Sequence, residues 1–255
     1  PVIASTAPDF VYLGETYVYE LDVIDPDDTE FDYTLINALD GMSITNNGTI
    51  TWTPEVVGQY GPVTVIVADG GEDNAVAAEE EFSILVDYDY TVIDFNFAAG
   101  NNLVSLYSIP PEDQSVEFVF GPLGDNITDI IGESQLAFNL PGVGWIGSLD
   151  SLYEDKGYWV RLDENASLPV YGLPSENVEY IIHEGANLIS YPFPGSMDIS
   201  LSIPDLAEGY FTGIIGEGVA ASQIAPQTWV GSLSEFEGSN GYWVKVTYPF
   251  SFSFT

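Results

Sequence analysis

The sequence has no cysteine and very few basic residues, and both shortages restrict its chemistry. Without cysteine, the 255-residue chain offers no disulfides, no thiolate metal ligands and no thiol nucleophile. Lys and Arg together number 3 against 40 Asp and Glu, which gives a formal net charge of −37. Because three cations cannot form a basic patch, the sequence excludes nucleic acid as a partner and disfavours anionic lipids, nucleotides and phosphorylated substrates.

Long apolar runs are missing as well, so we expect no membrane insertion. The sequence opens at Pro1 without Met or a signal peptide pattern, and we interpret it as a processed piece of a larger protein. Hydrophobic residues nevertheless make up 45% of the chain and aromatic residues 14%, which is too apolar for a disordered acidic tail. The composition predicts a globular protein with two or three domains.

Short alternating segments dominate the first third of the chain. Val, Ile, Tyr and Thr recur at every second position between turn signals, in residues 17–23, 31–35, 49–52, 63–67 and 81–86. This period of two indicates strands. So many short strands in one segment predict a β-sandwich rather than a helical domain.

Residues 1–88 resemble the cadherin-like immunoglobulin domains that occur in strings in bacterial surface and secreted proteins. The resemblance rests on motifs that occur in the expected order: Pro8, Gly14-Glu-Thr-Tyr17, Asp25-Pro-Asp-Asp28, Leu39-Asp-Gly-Met42, Gly48-Thr-Ile-Thr-Trp-Thr-Pro54, Gly58-Gln-Tyr60 and Val67-Ala-Asp-Gly70. It implies an immunoglobulin-like or cadherin-like β-sandwich with Trp52 in its core. It also implies an extracellular or cell-surface location in bacteria.

The remainder of the chain contains an internal repeat. Four motifs of the first copy return in order in the second: Asn102-Leu-Val-Ser105 as Asn187-Leu-Ile-Ser190, Ile130-Ile-Gly-Glu133 as Ile214-Ile-Gly-Glu217, Trp145-Ile-Gly-Ser-Leu149 as Trp229-Val-Gly-Ser-Leu233, and Gly157-Tyr-Trp-Val160 as Gly241-Tyr-Trp-Val244. We therefore predict a pseudo-duplicated domain over residues 91–255, with repeat one at about 95–172 and repeat two at about 179–255.

Both repeats are predicted to be β-rich, so the whole chain is predicted to be mainly all-β. Apolar residues at helical spacing leave either a short helix or a loop for residues 114–123, and residues 199–207 offer the same choice. The Trp-Val-Gly-Ser-Leu and Gly-Tyr-Trp motifs resemble modules near the C-termini of large secreted proteins from marine bacteria. That resemblance implies an extracellular location and assigns no activity.

Acidic side chains near turns make structural Ca²⁺ the most specific cofactor prediction. Calcium takes about six to eight oxygen ligands, and loops at one end of a sandwich can bring them together. The alternative is that Asp-Pro-Asp and Asp-Gly only form turns on an acidic surface. The predicted site draws on Glu15, Asp25, Asp27, Asp28, Asp69 and Asp73.

The repeated tryptophans suggest a second kind of site. Exposed aromatic rings can stack on sugars, and the candidates are Trp145, Trp159, Trp229 and Trp243. The competing interpretation places the same rings in the core or between the repeats.

Catalytic residues are harder to identify. The only histidine, His183, has no histidine at the matching position of repeat one, and no serine lies in a nucleophile elbow. In so acidic a chain a pair of carboxylates is not informative. The equivalent residues Glu133 and Glu217 either cap backbone amides or bind a metal or ligand.

These patterns predict a non-catalytic, calcium-stabilised structural or adhesion module of a larger secreted or cell-surface protein, such as an adhesin, filament or spacer. Its expected partners are neighbouring domains of the same chain or like subunits, and polysaccharide is a further candidate partner. The alternative is a carbohydrate-binding module attached to a secreted hydrolase, and an enzyme with a carboxylate pair is the third reading.

Overall fold

The computed structural model describes residues 1–70, 76–175 and 177–255. They form two compact units, Pro1–Asp89 and Tyr90–Thr255. Strands account for 52% of the structure and helices for 8%, which confirms the predicted all-β class. The predicted metal ligand Asp73 lies outside the described residues.

The described residues of the first unit include nine strands. They are β1 (Val2–Ile3), β2 (Phe10–Tyr12), β3 (Tyr17–Glu20), β4 (Val23–Ile24), β5 (Asp32–Ile36), β6 (Ser43–Ile44), β7 (Thr49–Trp52), β8 (Gly58–Ala68) and β9 (Ala78–Asp87).

Two main sheets share one core in this unit. One sheet has the order β2-β9-β8-β5 and the other has the order β3-β7-β6, while β1 pairs with β4. Alternate residues of each strand point inward, as the period of two predicts, so that Ile50, Val65 and Ile84 are fully buried. Trp52 is also buried, and its indole N–H donates to the carbonyl of Asp40 at 3.1 Å, which confirms its predicted core position.

Repeat one opens the second unit. Its elements are β10 (Thr91–Phe97), β11 (Gly100–Ser105), β12 (Ser108–Ile109), helix α1 (Val116–Phe120), a 3₁₀ helix (Gly121–Asn126), β13 (Ile127–Ile131), β14 (Leu136–Leu140), β15 (Gly144–Gly147), β16 (Gly157–Leu162) and β17 (Ala166–Pro174).

Repeat two follows with a similar series. Its elements are β18 (Tyr180–Ile182), β19 (Gly185–Ile189), β20 (Ser196–Asp198), helix α2 (Ile199–Ser202), helix α3 (Asp205–Glu208), β21 (Phe211–Gly216), β22 (Val219–Ala225), β23 (Thr228–Gly231), β24 (Glu235–Glu237), β25 (Tyr242–Val246) and β26 (Phe250–Phe252).

The two repeats share one topology. Repeat one has a five-stranded sheet in the order β11-β16-β13-β14-β15, and repeat two has the matching order β19-β25-β21-β22-β23. Each repeat buries its own hydrophobic core. A second layer covers each core, formed by β10-β17-β12 in repeat one and by β18-β26 in repeat two.

Short helices occur in both segments where the sequence allowed them. In α1, the hydroxyl of Ser115 accepts from the amide of Phe118 at 3.2 Å, and the helix buries Val116, Val119 and Phe120 in the core of repeat one. Each of the helices in the described ranges is too short to cross a bilayer.

Candidate functional site

Three aspartates of the first unit form the clearest candidate metal site. Asp25, Asp27 and Asp28 follow β4, and each places one carboxylate oxygen within 4.8 Å of the others. Within the described ranges, no other group of three or more acidic, histidine or cysteine side chains meets this condition. Hard divalent cations prefer such an all-oxygen set.

The cluster is also a well-formed turn. One oxygen of Asp25 accepts from the backbone amides of Asp27 and Asp28, each at 3.1 Å. The N-terminal ammonium of Pro1 lies 2.7 Å from the other oxygen of Asp25 and holds the pKa of this carboxyl well below its usual range. Hydrogen bonding to Asp25 raises the pKa of Asp27, because two adjacent carboxylates resist joint ionisation.

The other predicted calcium ligands divide into two groups. One carboxylate oxygen of Asp69 lies 3.9 Å from the same Pro1 ammonium, so this residue approaches the cluster. Glu15 lies in the turn before β3, whereas the aspartates follow β4, and it is not part of the group. The structure thus brings Asp25, Asp27, Asp28 and Asp69 into one neighbourhood and leaves Glu15 out.

A shallow cleft of about 1030 Å³ extends along this acidic region. Its wall combines carboxylates with threonine and asparagine side chains, and none of the described residues that line it is Lys, Arg or His. The acids that line it are Asp22, Asp28, Glu30, Asp32 and Asp69. The wall of this cleft therefore attracts cations and repels anions.

All four repeated tryptophans are half-buried. Trp145 and Trp229 pack against the cores of their own repeats. Trp159 and Trp243 lie on the interior strands β16 and β25, and their immediate neighbours in sequence point into the cores. None of the four is fully exposed as a free platform, and none is fully buried.

Trp229 has a specific polar partner. Its indole N–H donates to a carboxylate oxygen of Glu208 at 2.8 Å, and Glu208 is only 1% exposed. A buried carboxylate needs such a donor. The indole N–H of Trp229 therefore satisfies a buried acceptor on α3.

The repeated glutamates connect the two repeats to each other. A carboxylate oxygen of Glu133, in repeat one, accepts from the amide of Leu188 in repeat two at 2.8 Å. A carboxylate oxygen of Glu217, in repeat two, accepts from the amide of Leu103 in repeat one at the same distance of 2.8 Å. Of the two sequence-based alternatives, backbone capping is therefore present, and the exchange between repeats makes it a reciprocal clamp.

Repeated glycines and serines complete this junction. A Cβ atom on Gly157 would lie 2.7 Å from the carbonyl oxygen of Ile189, and one on Gly241 would lie 2.7 Å from that of Val104. The hydroxyl of Ser105 donates to the carbonyl of Asn240 at 2.7 Å. The equivalent hydroxyl in repeat two, that of Ser190, donates to a carbonyl of repeat one, that of Glu154.

His183 belongs to the same junction. Its Nε2 contacts a carboxylate oxygen of Glu133, and its Nδ1 lies 2.8 Å from the carbonyl oxygen of Glu184. The carbonyl of Glu184 and the carboxylate of Glu133 raise the pKa of His183. The matching position in repeat one is Ala98, whose amide donates to Asn102 as that of His183 donates to Asn187.

Sequence reasoning found the equivalence of Glu133 and Glu217 but missed the partners of both side chains. It also missed a cleft beside this junction. The cleft is lined by Glu133, Tyr153, Asp155, Lys156 and His183. The signal available was compositional, since His183 and Lys156 are two of only four Lys, Arg and His residues.

Comparisons with known proteins give this chain no relative: no family model, no curated protein and no solved structure matches it.

Proposed function

We propose that the chain is a non-catalytic structural module of a larger secreted or cell-surface bacterial protein, that it carries mechanical load between neighbouring domains, and that calcium stabilises its first unit. The observation that carries this proposal is the pairing of β2 with the last strand of the first unit, β9. The two strands run parallel, with Val11 opposite Val86.

Parallel pairing determines how this pair responds to tension. The end of β2 nearer the N-terminus and the end of β9 nearer the C-terminus lie at opposite ends of a parallel pair. Tension along the chain therefore slides the strands past each other and loads their hydrogen bonds together. Bonds at both ends of the pair contribute, from Leu13 N–H to the carbonyl of Asp87 and from Leu85 N–H to that of Asp9, both at 2.8 Å.

The second unit supports the same proposal through its repeated residues. The repeated glutamates, serines and glycines make the contacts between repeats described above. The repeated tyrosines also make equivalent structural contacts. The hydroxyls of Tyr158 and Tyr242 accept hydrogen bonds from the amides of Tyr153 and Glu237, both at 2.7 Å. The duplication thus preserves residues that build the fold.

Calcium enters the proposal through the aspartate cluster. Asp25, Asp27 and Asp28 bring three carboxylates together in a chain with a formal net charge of −37. Self-repulsion of that size opposes the compact state, and a bound divalent cation reduces it. The calcium site is expected to brace the loops at this end of the first unit.

The proposal is tested by pulling the first unit in two directions within the full chain. Because the chain has no cysteine, a pair of introduced cysteines provides two unique attachment points. Pro8→Cys with Asp89→Cys loads the β2–β9 pair in shear, whereas Glu55→Cys with Asp89→Cys opens the antiparallel β8–β9 pair from one end. We expect a clearly higher unfolding force in the shear geometry, and a further rise in calcium over chelator. Equal forces in the two geometries would overturn the mechanical proposal.

A carbohydrate-binding module attached to a secreted hydrolase is the second candidate function. One observation favours it: Trp159 and Trp243 occupy equivalent positions on β16 and β25, face away from the cores of their own repeats, and are only half-buried. If these rings bind polysaccharide, Trp159→Ala with Trp243→Ala abolishes retention on insoluble glycans, while Trp52 stays intact as the reporter of folding in the first unit.

A further inference from the structure

Each repeat has a cleft beside the junction. Several equivalent positions line both clefts, but only the repeat-one cleft is also lined by residues of the other repeat. The repeat-one cleft has a volume of about 390 Å³ and includes Glu133 and Tyr158. The repeat-two cleft has a volume of about 420 Å³ and includes Glu217 and Tyr242 at the same places. Because equivalent positions of the two repeats line both clefts, the side chains that differ at these positions distinguish the chemistry of the two clefts.

Those differences are large. Where the repeat-one cleft has Tyr153 and Lys156, the repeat-two cleft has Glu237 and Asn240. The repeat-one cleft is also bounded by β18 and by His183, which directly follows this strand. It therefore contains two of the four Lys, Arg and His residues of the chain, while the repeat-two cleft contains none of them.

Each cation of the repeat-one cleft is paired with a carboxylate. The ammonium of Lys156 lies 2.7 Å from Asp155, and the ring of His183 contacts Glu133. With His183 protonated, these four charges cancel inside a cleft of a strongly negative protein. The cleft thus presents charged donors and acceptors side by side without a net charge.

A neutral polyhydroxylated ligand fits this chemistry best. Each sugar hydroxyl both donates and accepts, so it can bridge a Lys–Asp or a His–Glu pair. An anion would be repelled by the remaining surface, and a cation would gain more from the acidic clefts elsewhere. The ring of Tyr153 offers an apolar face for the C–H side of a sugar, since this residue lines the cleft and is 51% exposed.

We propose that the repeat-one cleft is a saccharide-binding site, which accepts one or two neutral sugar units between Tyr153 and the paired charges of Lys156–Asp155 and His183–Glu133. The volume of about 390 Å³ suits a ligand of that size. This site is separate from the repeated tryptophans, and the inference goes beyond the mechanical role of the module. Its success or failure leaves the pulling experiment unaffected.

The test is a titration of the full chain with glucose, galactose, mannose, N-acetylglucosamine, cellobiose and maltose. His183 is the only histidine, so its ring resonances report on the cleft without ambiguity. We expect at least one of these sugars to shift the resonances in a saturable way. Tyr153→Ala should weaken that binding at least about tenfold, because stacking on the ring is lost.

Two matched variants distinguish binding from general damage. Tyr153→Phe keeps the ring and should bind within about threefold of the parent chain. Glu237→Ala alters the equivalent position of the repeat-two cleft and should leave binding unchanged. The proposal is overturned if no sugar of the panel gives saturable shifts, if Glu237→Ala weakens binding as much as Tyr153→Ala, or if glucuronate binds more tightly than glucose.

Discussion

The carboxylate of Glu133 accepts a hydrogen bond from the backbone amide of Leu188, across the boundary between the two repeats. The equivalent bond from Leu103 to Glu217 crosses the same boundary in the opposite direction. Each repeat therefore supplies an acceptor that the other one needs. Leu103 and Leu188 are only 2% and 1% exposed, so an unpaired amide at either place would be shielded from water.

Removing either glutamate should destabilise the second unit. A hydrogen bond to a charged group is worth about 1.5–3 kcal/mol, and we expect Glu133→Ala and Glu217→Ala each to lower the free energy of unfolding by about 1–3 kcal/mol. Glu164→Ala is the control, because the Glu164 side chain is exposed. Urea denaturation followed by tryptophan fluorescence measures the change. Equal stability of all three variants would show that the clamp contributes nothing.

The repeated glycines should not tolerate a side chain. In Gly157→Ala and Gly241→Ala the new methyl group would meet a carbonyl oxygen of the other repeat. We expect each to cost about 1–3 kcal/mol, as overpacking of a close contact does. Gly209→Ala is the matched control, because a Cβ there meets nothing within 4 Å, and this variant should be neutral or slightly stabilising. A loss of stability in Gly209→Ala as large as in Gly157→Ala would contradict the close-approach explanation.

The two core-packed tryptophans should respond differently to loss of the indole N–H. Trp229→Phe removes the donor to the buried carboxylate of Glu208 and should cost about 1–3 kcal/mol beyond the change in ring size. Trp145→Phe changes the equivalent ring, and Glu208 keeps its donor. Chemical denaturation of both variants gives the comparison, and a smaller loss for Trp229→Phe than for Trp145→Phe would refute the assigned role.

Ionisation of His183 should couple pH to the stability of the junction. Its contacts with Glu184 and Glu133 raise its pKa in the folded state above the unfolded value of about 6.5. The contribution of the His183–Glu133 pair is therefore complete below the unfolded pKa and disappears as pH rises through the folded pKa. NMR titration of the single histidine should show the raised pKa, and Glu133→Gln should lower it.

The matching change in repeat two provides the control for this titration. Glu217→Gln leaves the surroundings of His183 intact and should leave its pKa unchanged. The stability difference between the parent chain and His183→Ala should be present at pH 5.5 and should shrink at alkaline pH. If the pKa of His183 is the same in Glu133→Gln as in the parent chain, the coupling is refuted.

The sequence predicted the features that depend on local pattern. Alternation identified the strands around Ile50 and Ile84, helical spacing allowed α1, and the repeated motifs established that Glu133 and Glu217 are equivalent. The partners of the two glutamates depend on how one repeat docks against the other, which no local pattern encodes. The same limitation applied to the cleft, because Lys156 and His183 meet only through tertiary packing.

The metal candidates show the same division between local and distant relations. Asp25, Asp27 and Asp28 are neighbours in one turn, so their convergence was readable from the sequence. Glu15 was grouped with them although β3 separates its turn from theirs. The distance between loops at the two ends of a strand cannot be read from composition.

Calorimetry of the full chain in millimolar calcium and in excess chelator tests the central claim most directly. A cation that binds only the folded state raises stability by about 2.7 kcal/mol at one hundred times its dissociation constant. We predict a calcium-dependent rise in the unfolding midpoint that is lost in Asp25→Asn with Asp28→Asn and kept in Glu55→Gln, whose side chain is exposed in the same unit. A midpoint that is the same in calcium and in chelator would contradict a calcium-stabilised structural module.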